Sequence, residues 1–330
     1  MTVLNDVAPV FLQLLADRNG KPAGLVLDTG AASAAVSALP DDAMQALAAQ
    51  FACYVRPELE NQDAWLEAGW RGLPAETLRV DTVFDKAAMA PGVALIEGDW
   101  PLAPPAKAVG AQAASRALAL QLVQLVTNDA DTHEIEALLR RDPTLSYHLL
   151  KLVNSLGMGA SRRVSSFSQA ILILGRQQLR RWLNLMLFSA REGDIRSAML
   201  LARVAVRAQA LELLARETGL GKAQQEQAFM TGMFSLLGVL FGMPLAEVLA
   251  PLTISEAVQQ ALLGKQGELG ELLALVEAGE RGDFAAVAGR LEALQLEPAD
   301  FNRVVAEAHV WMLGVATEPG ASGRAGPPHA

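Results

Sequence analysis

The sequence has few of the residues that usually carry chemistry. A single cysteine, Cys53, among 330 residues excludes an intramolecular disulfide and a cysteine-based zinc site. Four histidines are few for a site that needs several imidazoles around a metal. There is no G-x-S-x-G motif and no phosphate loop with its Lys. These absences argue against serine-nucleophile and P-loop chemistry.

Charge is scarce and unevenly placed. Charged residues make up 19% and apolar residues 52% of the chain, which suits a sizeable core and excludes a disordered protein. Residues 1–104 hold 6 basic and 14 acidic side chains, whereas residues 140–191 hold nine basic side chains and one acid. The overall net charge of −9 argues against general affinity for nucleic acid, so no nucleic-acid partner is expected.

One stretch lacks charge altogether, at residues 227–246 (QAFMTGMFSLLGVLFGMPLA). Its length is that of a membrane span, about 20 residues. However, it contains polar residues, three glycines and a proline, and basic residues do not flank it closely. A buried helix of a large helical domain is the better interpretation. The first residues, MTVLNDVAPVF, lack the basic and apolar regions of a signal peptide. The sequence therefore predicts a cytoplasmic protein without a membrane partner.

The first third of the chain alternates strand-like and helix-like segments. The predicted strands cover residues 22–28, 51–55, 77–84 and 93–97. Between the first two lies PDDAMQALAAQ (40–50), a predicted helix with Pro40 at its first position and acids in its first turn. This alternation predicts a small α/β domain over residues 1–104.

Beyond a proline-rich linker, PLAPPAKA (101–108), the pattern is helical. Predicted helices cover 108–127, segments starting near 132, 142 and 165, and 176–190, 195–217, 224–241, 254–263, 266–279, 283–294 and 298–316. The predicted fold class is mainly α, with a helical domain over residues 105–317 and a disordered tail over residues 318–330.

Residues 138–188 carry three motifs in a characteristic order. They are D-P-x-L-x-x-x-L-L-x-x-V-N-S, S-S-x-x-x-A-I-x-x-L-G and L-R-x-W. Together they resemble the HDOD domain, the HD-related output module of bacterial signalling proteins. The resemblance implies an all-α fold without hydrolytic activity.

Residues 230–264 resemble the subgroup in which an HDOD domain follows an EAL domain. EAL domains are cyclic di-GMP phosphodiesterases built on a TIM-like barrel, and VALIEGDWPLAPPA is similar to the exit from such a domain. A closed barrel of this kind needs about 200–250 residues. Residues 1–104 are therefore predicted to be a degenerate EAL-like remnant without phosphodiesterase chemistry.

The uncharged stretch is similar to the segment in which HD phosphohydrolases carry their His-Asp ligand pair within G-L-L-H-D-I-G. On that frame Gly232 and Gly238 match, and the ligand positions fall on Ser235 and Leu236. A Leu side chain cannot bind a metal and a Ser hydroxyl is a poor substitute for imidazole. Arg203 stands near the position of the family's first metal-binding His. The resemblance thus predicts degenerate ligand positions, no metal or other cofactor, and no enzymatic activity.

The basic segment offers a candidate binding site for an anion or a partner protein. Its residues are Arg162, Arg163, Arg176, Arg180 and Arg181. The first two precede a predicted helix start, which favours anions. The cluster is compatible with a nucleotide, with an acidic partner surface, or with an internal or plain surface role.

The sequence favours a non-catalytic bacterial signalling protein that acts through protein–protein contacts, linked by resemblance to cyclic di-GMP. One alternative is a nucleotide- or anion-sensing module that uses the Arg162–Arg181 cluster. A weaker alternative is a cryptic metal-dependent phosphohydrolase that uses His133 and nearby carboxylates.

Overall fold

The structure is a computed structural model of the chain. It describes residues 7–29, 40–87, 89–105, 121–122, 124–128, 130–139, 181 and 194–316. The tail 318–330 and most of the motif-bearing segment 138–188 lie outside the described residues, so the predictions made for them stay predictions.

A six-stranded sheet forms the first part of the described chain. Its strands are β1 (Phe11–Ala16), β2 (Pro22–Asp28), β3 (Cys53–Val55), β4 (Arg71–Gly72), β5 (Thr77–Arg79) and β6 (Leu95–Glu97). The order across the sheet is β4-β3-β2-β1-β6-β5. Strand β1 runs antiparallel to both of its neighbours, whereas the pairs β2–β3, β3–β4 and β5–β6 are parallel.

Two short helices connect three parallel strands of the sheet. Helix α1 (Asp42–Gln50) joins β2 to β3, and α2 (Gln62–Glu67) joins β3 to β4. Helix α1 begins after Asp41, whose carboxylate accepts a hydrogen bond from the Met44 amide at 2.7 Å. The predicted helix start at Pro40 is therefore displaced, because the Asp41 side chain supplies the cap that fixes the first turn.

Helices dominate the rest of the described chain. They are α3 (Thr132–Leu139), α4 (Ser197–Glu217), α5 (Lys222–Phe234), α6 (Leu237–Phe241), α7 (Leu245–Leu249), α8 (Glu256–Gly264), α9 (Gly267–Glu280), α10 (Phe284–Leu294) and α11 (Pro298–Ala316). The predicted helices 195–217, 254–263, 266–279, 283–294 and 298–316 are confirmed within a few residues. The prediction of a mainly α chain is confirmed for this part and incomplete for the whole, because the sheet is a substantial element.

The predicted helix 224–241 is wrong in one respect, because it consists of two helices. Helix α5 ends at Phe234 and α6 begins at Leu237, so Ser235 and Leu236 form a break. On both sides of the break apolar side chains are buried, among them Phe229, Phe234 and Phe241. No helix among the described residues is long and apolar enough to cross a membrane. The buried position predicted for this stretch is confirmed for most of residues 228–241, whereas Gly242, Pro244 and Ala246 are exposed.

The sheet and the helices share one hydrophobic core. Phe11 of β1 packs so closely on α9 that a Cβ at Gly279 would lie 2.7 Å from its ring. Asn302 of α11 accepts from the Val10 amide at 2.8 Å and donates to the Ala8 carbonyl at 2.9 Å. Buried backbone groups at the start of β1 are thus satisfied by a helix, which fixes the sheet on the helical part.

Candidate functional site

The break between α5 and α6 lies at the predicted ligand positions. The Ser235 hydroxyl donates to the Gly232 carbonyl at 2.7 Å, a contact that competes with helical hydrogen bonding and favours a bend or stop. Leu236 is 3% exposed and packs in the core. The Ser235 hydroxyl is thus engaged with the backbone, and the Leu236 side chain is buried.

Glycine at two positions allows the backbone around this break to pack closely. A Cβ at Gly232 would lie 2.5 Å from the Cα of Ala208 in α4, so the two helices touch there through their backbones. A Cβ at Gly238 would lie 3.0 Å from the carbonyl oxygen of Met243. Both glycines matched the HD frame in the sequence, and the structure gives them a packing reason.

A buried guanidinium faces the break. Arg207 of α4 is 5% exposed, and its NH1 donates to the Ser235 hydroxyl at 2.8 Å. Its Nε and NH2 bind the two carboxylate oxygens of Glu280 in α9, the first at 2.9 Å. NH1 also lies 3.5 Å from a carboxylate oxygen of Glu277. This bidentate geometry is the strong form of an arginine–carboxylate pair.

Each charge in this cluster holds the other in its ionised form. Burial raises the pKa of Glu280, but the charge and hydrogen bonds of Arg207 outweigh it and hold the pKa below its usual range. Burial lowers the pKa of Arg207, and Glu280 and Glu277 reverse that effect. Lys265 neutralises Glu277, with Nζ 2.7 Å from its carboxylate. The cluster is therefore charged and paired.

In chemical terms, a guanidinium is hydrogen-bonded to Ser235, one of the two degenerate ligand positions of the HD frame. Ser235 accepts from it, and two glutamates balance its charge. Among the residues that the structure describes, there is no group of three or more His, Cys, Asp or Glu side chains able to hold a metal ion. The cluster can order the helix break electrostatically, because its donors and acceptors already face one another.

Sequence reasoning missed Arg207 and Glu280. A signal was present, because Arg203 and Arg207 interrupt the largely apolar run LLARVAVRAQAL of the predicted helix 195–217. A buried arginine requires a carboxylate partner, but Glu280 is 73 residues away and the helical period does not identify it. Arg203 instead reaches the end of the sheet part, donating to Asp99 Oδ1 at 3.0 Å and to the Gly98 carbonyl at 2.9 Å.

Of the predicted basic cluster, the structure describes only Arg181. Its guanidinium binds Glu212 with distances of 2.7 and 3.1 Å, and Glu226 through Nε at 3.1 Å and through NH2. Its Cζ lies 4.1 Å from the centre of the Phe229 ring, a cation–π arrangement. Two carboxylates neutralise this arginine, so it adds little attraction for a further anion. Arg162, Arg163, Arg176 and Arg180 lie outside the described residues.

We expect Arg181→Met to lower the free energy of unfolding by about 2–3 kcal/mol, because Glu212 and Glu226 would be left together and partly buried. Urea denaturation measures this loss, and Arg181→Lys should recover part of it. The matched control is Arg216→Met, whose side chain is 52% exposed and should contribute less than about 1 kcal/mol. Equal losses in the two Met variants would contradict the structural role of Arg181.

The two described histidines differ sharply in environment. His133 is exposed in the first turn of α3. His309 of α11 is 1% exposed, and its Nδ1 donates to the Val305 carbonyl at 2.7 Å. Burial lowers the pKa of His309 to about 4, against opposing hydrogen bonds to Val305 and Leu12 and the charge of Glu280. His309 is therefore neutral near pH 7. His148 and His329 lie outside the described residues.

This pKa predicts a loss of stability in mild acid. Below pH 6.5 the unfolded chain protonates His309 while the folded chain does not, so unfolding is favoured as the pH falls toward 4. The full effect is about 3 kcal/mol for a pKa lowered from 6.5 to about 4. Urea denaturation at several pH values between 7 and 5 measures the free energy of unfolding. This free energy should fall less steeply with decreasing pH in His309→Gln than in the parent chain, whereas the exposed control His133→Gln should follow the parent.

Cys53 is not a nucleophile in this fold. It is buried in β3 at 1% exposure, and burial raises its pKa to about 12 against the lowering effect of Arg71. The thiolate is the reactive form, so Cys53 is a buried structural thiol.

Comparison with known proteins identifies the class of the helical part. The family model of the HDOD domain matches residues 114–268. The chain therefore carries an HDOD domain, as the motifs predicted. The EAL-like character of residues 1–104 is not shown by the comparisons and stays a prediction.

Two curated relatives are similar to this chain. The cyclic di-GMP phosphodiesterase CdgJ of Vibrio cholerae is 33% identical over 195 residues, which cover 59% of this chain and 45% of CdgJ. The uncharacterized protein YuxH of Bacillus subtilis is 31% identical over 165 residues, which cover 49% of this chain and 40% of YuxH. The chain thus spans less than half the length of these relatives.

The similarity to CdgJ contradicts the prediction that the chain is not an enzyme, because the relative is named a phosphodiesterase. The prediction rested on Ser235 and Leu236, on the small number of histidines and on the shortness of residues 1–104. The loss of ligands at one metal site does not exclude catalysis at another site of the chain. The absence of enzymatic activity therefore did not follow from these observations.

One solved structure is also similar, that of a candidate phosphohydrolase from Shewanella amazonensis. It has a TM-score of 0.44 and 17% identity, and it covers 61% of this chain and 92% of that one. At this level the similarity carries no argument about fold or function.

Proposed function

We propose that this chain is a signalling protein linked to cyclic di-GMP, and that its HDOD domain acts by binding a partner protein. The HDOD match and the 33% identity to a protein named a cyclic di-GMP phosphodiesterase support the signalling role.

The proposal rests on the contacts that Ser235 and Leu236 make at the helix break. Ser235 binds the Arg207 guanidinium, and Leu236 packs in the core. We take these as degenerate ligand positions whose place has been taken by an ion pair, so that this region orders the fold. The binding surface is then assigned to the basic cluster of Arg162, Arg163 and Arg180.

Affinity capture from the native host with quantitative mass spectrometry tests partner binding. The bait is the full chain, compared with a variant in which Arg162, Arg163 and Arg180 are changed to Glu. The matched control changes the exposed or half-exposed Arg71, Arg79 and Arg290 to Glu, with the same change in net charge. We expect a partner to be lost only from the cluster variant. Loss from both variants would indicate nonspecific charge attraction and count against the proposal.

Calorimetry with cyclic di-GMP on the same proteins tests the nucleotide-sensing alternative. In one outcome, the parent chain and the control variant both bind cyclic di-GMP with measurable heat while the cluster variant does not. That result would show that the basic cluster is a nucleotide site and not a partner surface. Circular dichroism on each variant establishes that the helical content is retained.

Hydrolysis of cyclic di-GMP is the second candidate function, favoured by the name of the Vibrio cholerae relative. Incubation with cyclic di-GMP and Mg²⁺ or Mn²⁺, followed by chromatography of the linear dinucleotide, measures it directly. Turnover that stops on chelation would support this candidate. Loss of turnover in His133→Ala, with stability unchanged, would place the exposed His133 in the reaction.

A further inference from the structure

A continuous chain of hydrogen bonds joins the sheet to the helix break. Gln13 of β1 donates through Nε2 to the main-chain carbonyl of Glu280, the last residue of α9, at 2.9 Å. The side chain of Glu280 binds Arg207, with Nε to Oε1 at 2.9 Å. Arg207 donates to the Ser235 hydroxyl at 2.8 Å, and Ser235 donates to the Gly232 carbonyl at 2.7 Å.

Two features of Arg207 allow this series of hydrogen bonds to transmit a movement. Its central member, Arg207, is buried, so its bonds are not exchanged for water. In addition, Arg207 NH1 stands between two acceptors, the Ser235 hydroxyl at 2.8 Å and the Glu277 carboxylate at 3.5 Å. NH1 carries two N–H groups and can face both acceptors, so a shift of the guanidinium toward Glu277 would lengthen its bond to Ser235.

The last hydrogen bonds of this series lie at the break between α5 and α6. Ser235 and Leu236 separate α5 from α6, and Leu236 has φ −104 and ψ 4, outside the helical region. The Leu240 amide donates to the Leu236 carbonyl at 2.9 Å and so begins the hydrogen bonding of α6. Ser235 lies directly before Leu236, the residue that precedes the first turn of α6.

We propose that the sheet regulates the α5–α6 break through Gln13, Glu280, Arg207 and Ser235. Displacement of β1 shifts the C-terminal end of α9 and with it the Glu280 carboxylate. Arg207 then moves toward Glu277, Ser235 is released, and α6 loosens. This inference rests on the proposed signalling function, since it assigns control of the HDOD output to the N-terminal sheet.

Amide hydrogen exchange in the full chain tests the route. We expect Gln13→Ala to raise the exchange rate of the Leu240 amide at least about tenfold relative to the Val287 amide of α10. Val287 is also buried and donates to Asp283 at 3.0 Å, so it reports changes in global stability. The control is Gln50→Ala, which removes a similar amide–carbonyl bond, Gln50 to Ala46, within α1. It should leave this ratio unchanged.

A thermodynamic cycle then identifies Ser235 as the link. In a Ser235→Ala background, Gln13→Ala should add no further change to the Leu240:Val287 ratio. The same tenfold change in both backgrounds, or no change in either, would overturn the proposed route. Partner and cyclic di-GMP binding are measured separately, so their absence would refute the proposed function and leave the exchange result standing.

Discussion

Replacing Arg207 with Met is expected to lower the free energy of unfolding by about 3–5 kcal/mol, because it leaves the buried Glu280 carboxylate without its partner. This is the largest single effect that the described contacts predict. Urea denaturation near pH 7.5 measures it. The control is Arg290→Met, which removes a half-exposed pair with Glu271 and should cost less than about 1 kcal/mol.

The pH dependence of this loss distinguishes a charge effect from a packing effect. In the parent chain, Arg207 holds the pKa of Glu280 below its usual range, so the pair stabilises the fold above that range and is lost in acid. Without Arg207, burial alone acts and raises the pKa. The variant then gains stability by protonating Glu280, so the difference from the parent should shrink between pH 7.5 and 5.

The double variant Arg207→Met with Glu280→Gln provides the decisive comparison. Removing the second charge should restore much of the lost stability, since a neutral pair carries no uncompensated charge. If the single and double variants are equally unstable at pH 7.5, the loss comes from packing, and the electrostatic account of the cluster is wrong.

Gly232→Ala is expected to lower the free energy of unfolding by about 2–3 kcal/mol. Its Cβ would lie 2.5 Å from the Cα of Ala208, a backbone atom that cannot rotate away, so α5 and α4 must move apart. The shift would also strain the adjoining contact between Arg207 and Ser235. Thermal and urea denaturation measure the loss.

The matched control is Gly289→Ala in α10, where nothing lies within 4 Å of the added Cβ. There the change should stabilise the protein by about 0.5–1 kcal/mol, because Ala favours a helix over Gly. The two substitutions are chemically identical, so opposite signs isolate the close helix contact at Gly232. Equal tolerance at both sites would contradict that contact.

Local sequence signals predicted several elements well because their causes are local. The run PAGLVLD forms β2 as expected, and Asp283 caps α10 through the Ala286 amide at 3.1 Å. Strand β1 and helix α7 were not predicted. Strand β1 is an almost wholly buried apolar segment with no clear alternation, which periodicity alone does not separate from a buried helix.

Only part of the candidate site could be predicted from the sequence. The frame around Gly232 and Gly238 located Ser235 and Leu236, and the structure places a helix break there. The hydrogen bond between Ser235 and Arg207 could not be predicted from the sequence, because the two residues are 28 positions apart. Glu280, which pairs with Arg207, lies on yet another helix. The same frame led to the incorrect prediction about enzymatic activity, because a motif reports on one site only.

By itself, the sequence determined the helical HDOD domain, the buried character of the uncharged stretch, and the positions of its two key glycines. The helices and the buried stretch follow from apolar periodicity and turn residues, which act over a few residues, whereas the HDOD domain and the two glycines follow from the resemblance of the motifs to a known family. Only the tertiary structure decided that the stretch breaks at Ser235, that Arg207 and Glu280 meet there, and that Gln13 ties them to the sheet. Each depends on desolvated charges brought together from distant segments, and burial, rather than proximity in sequence, selects those partners.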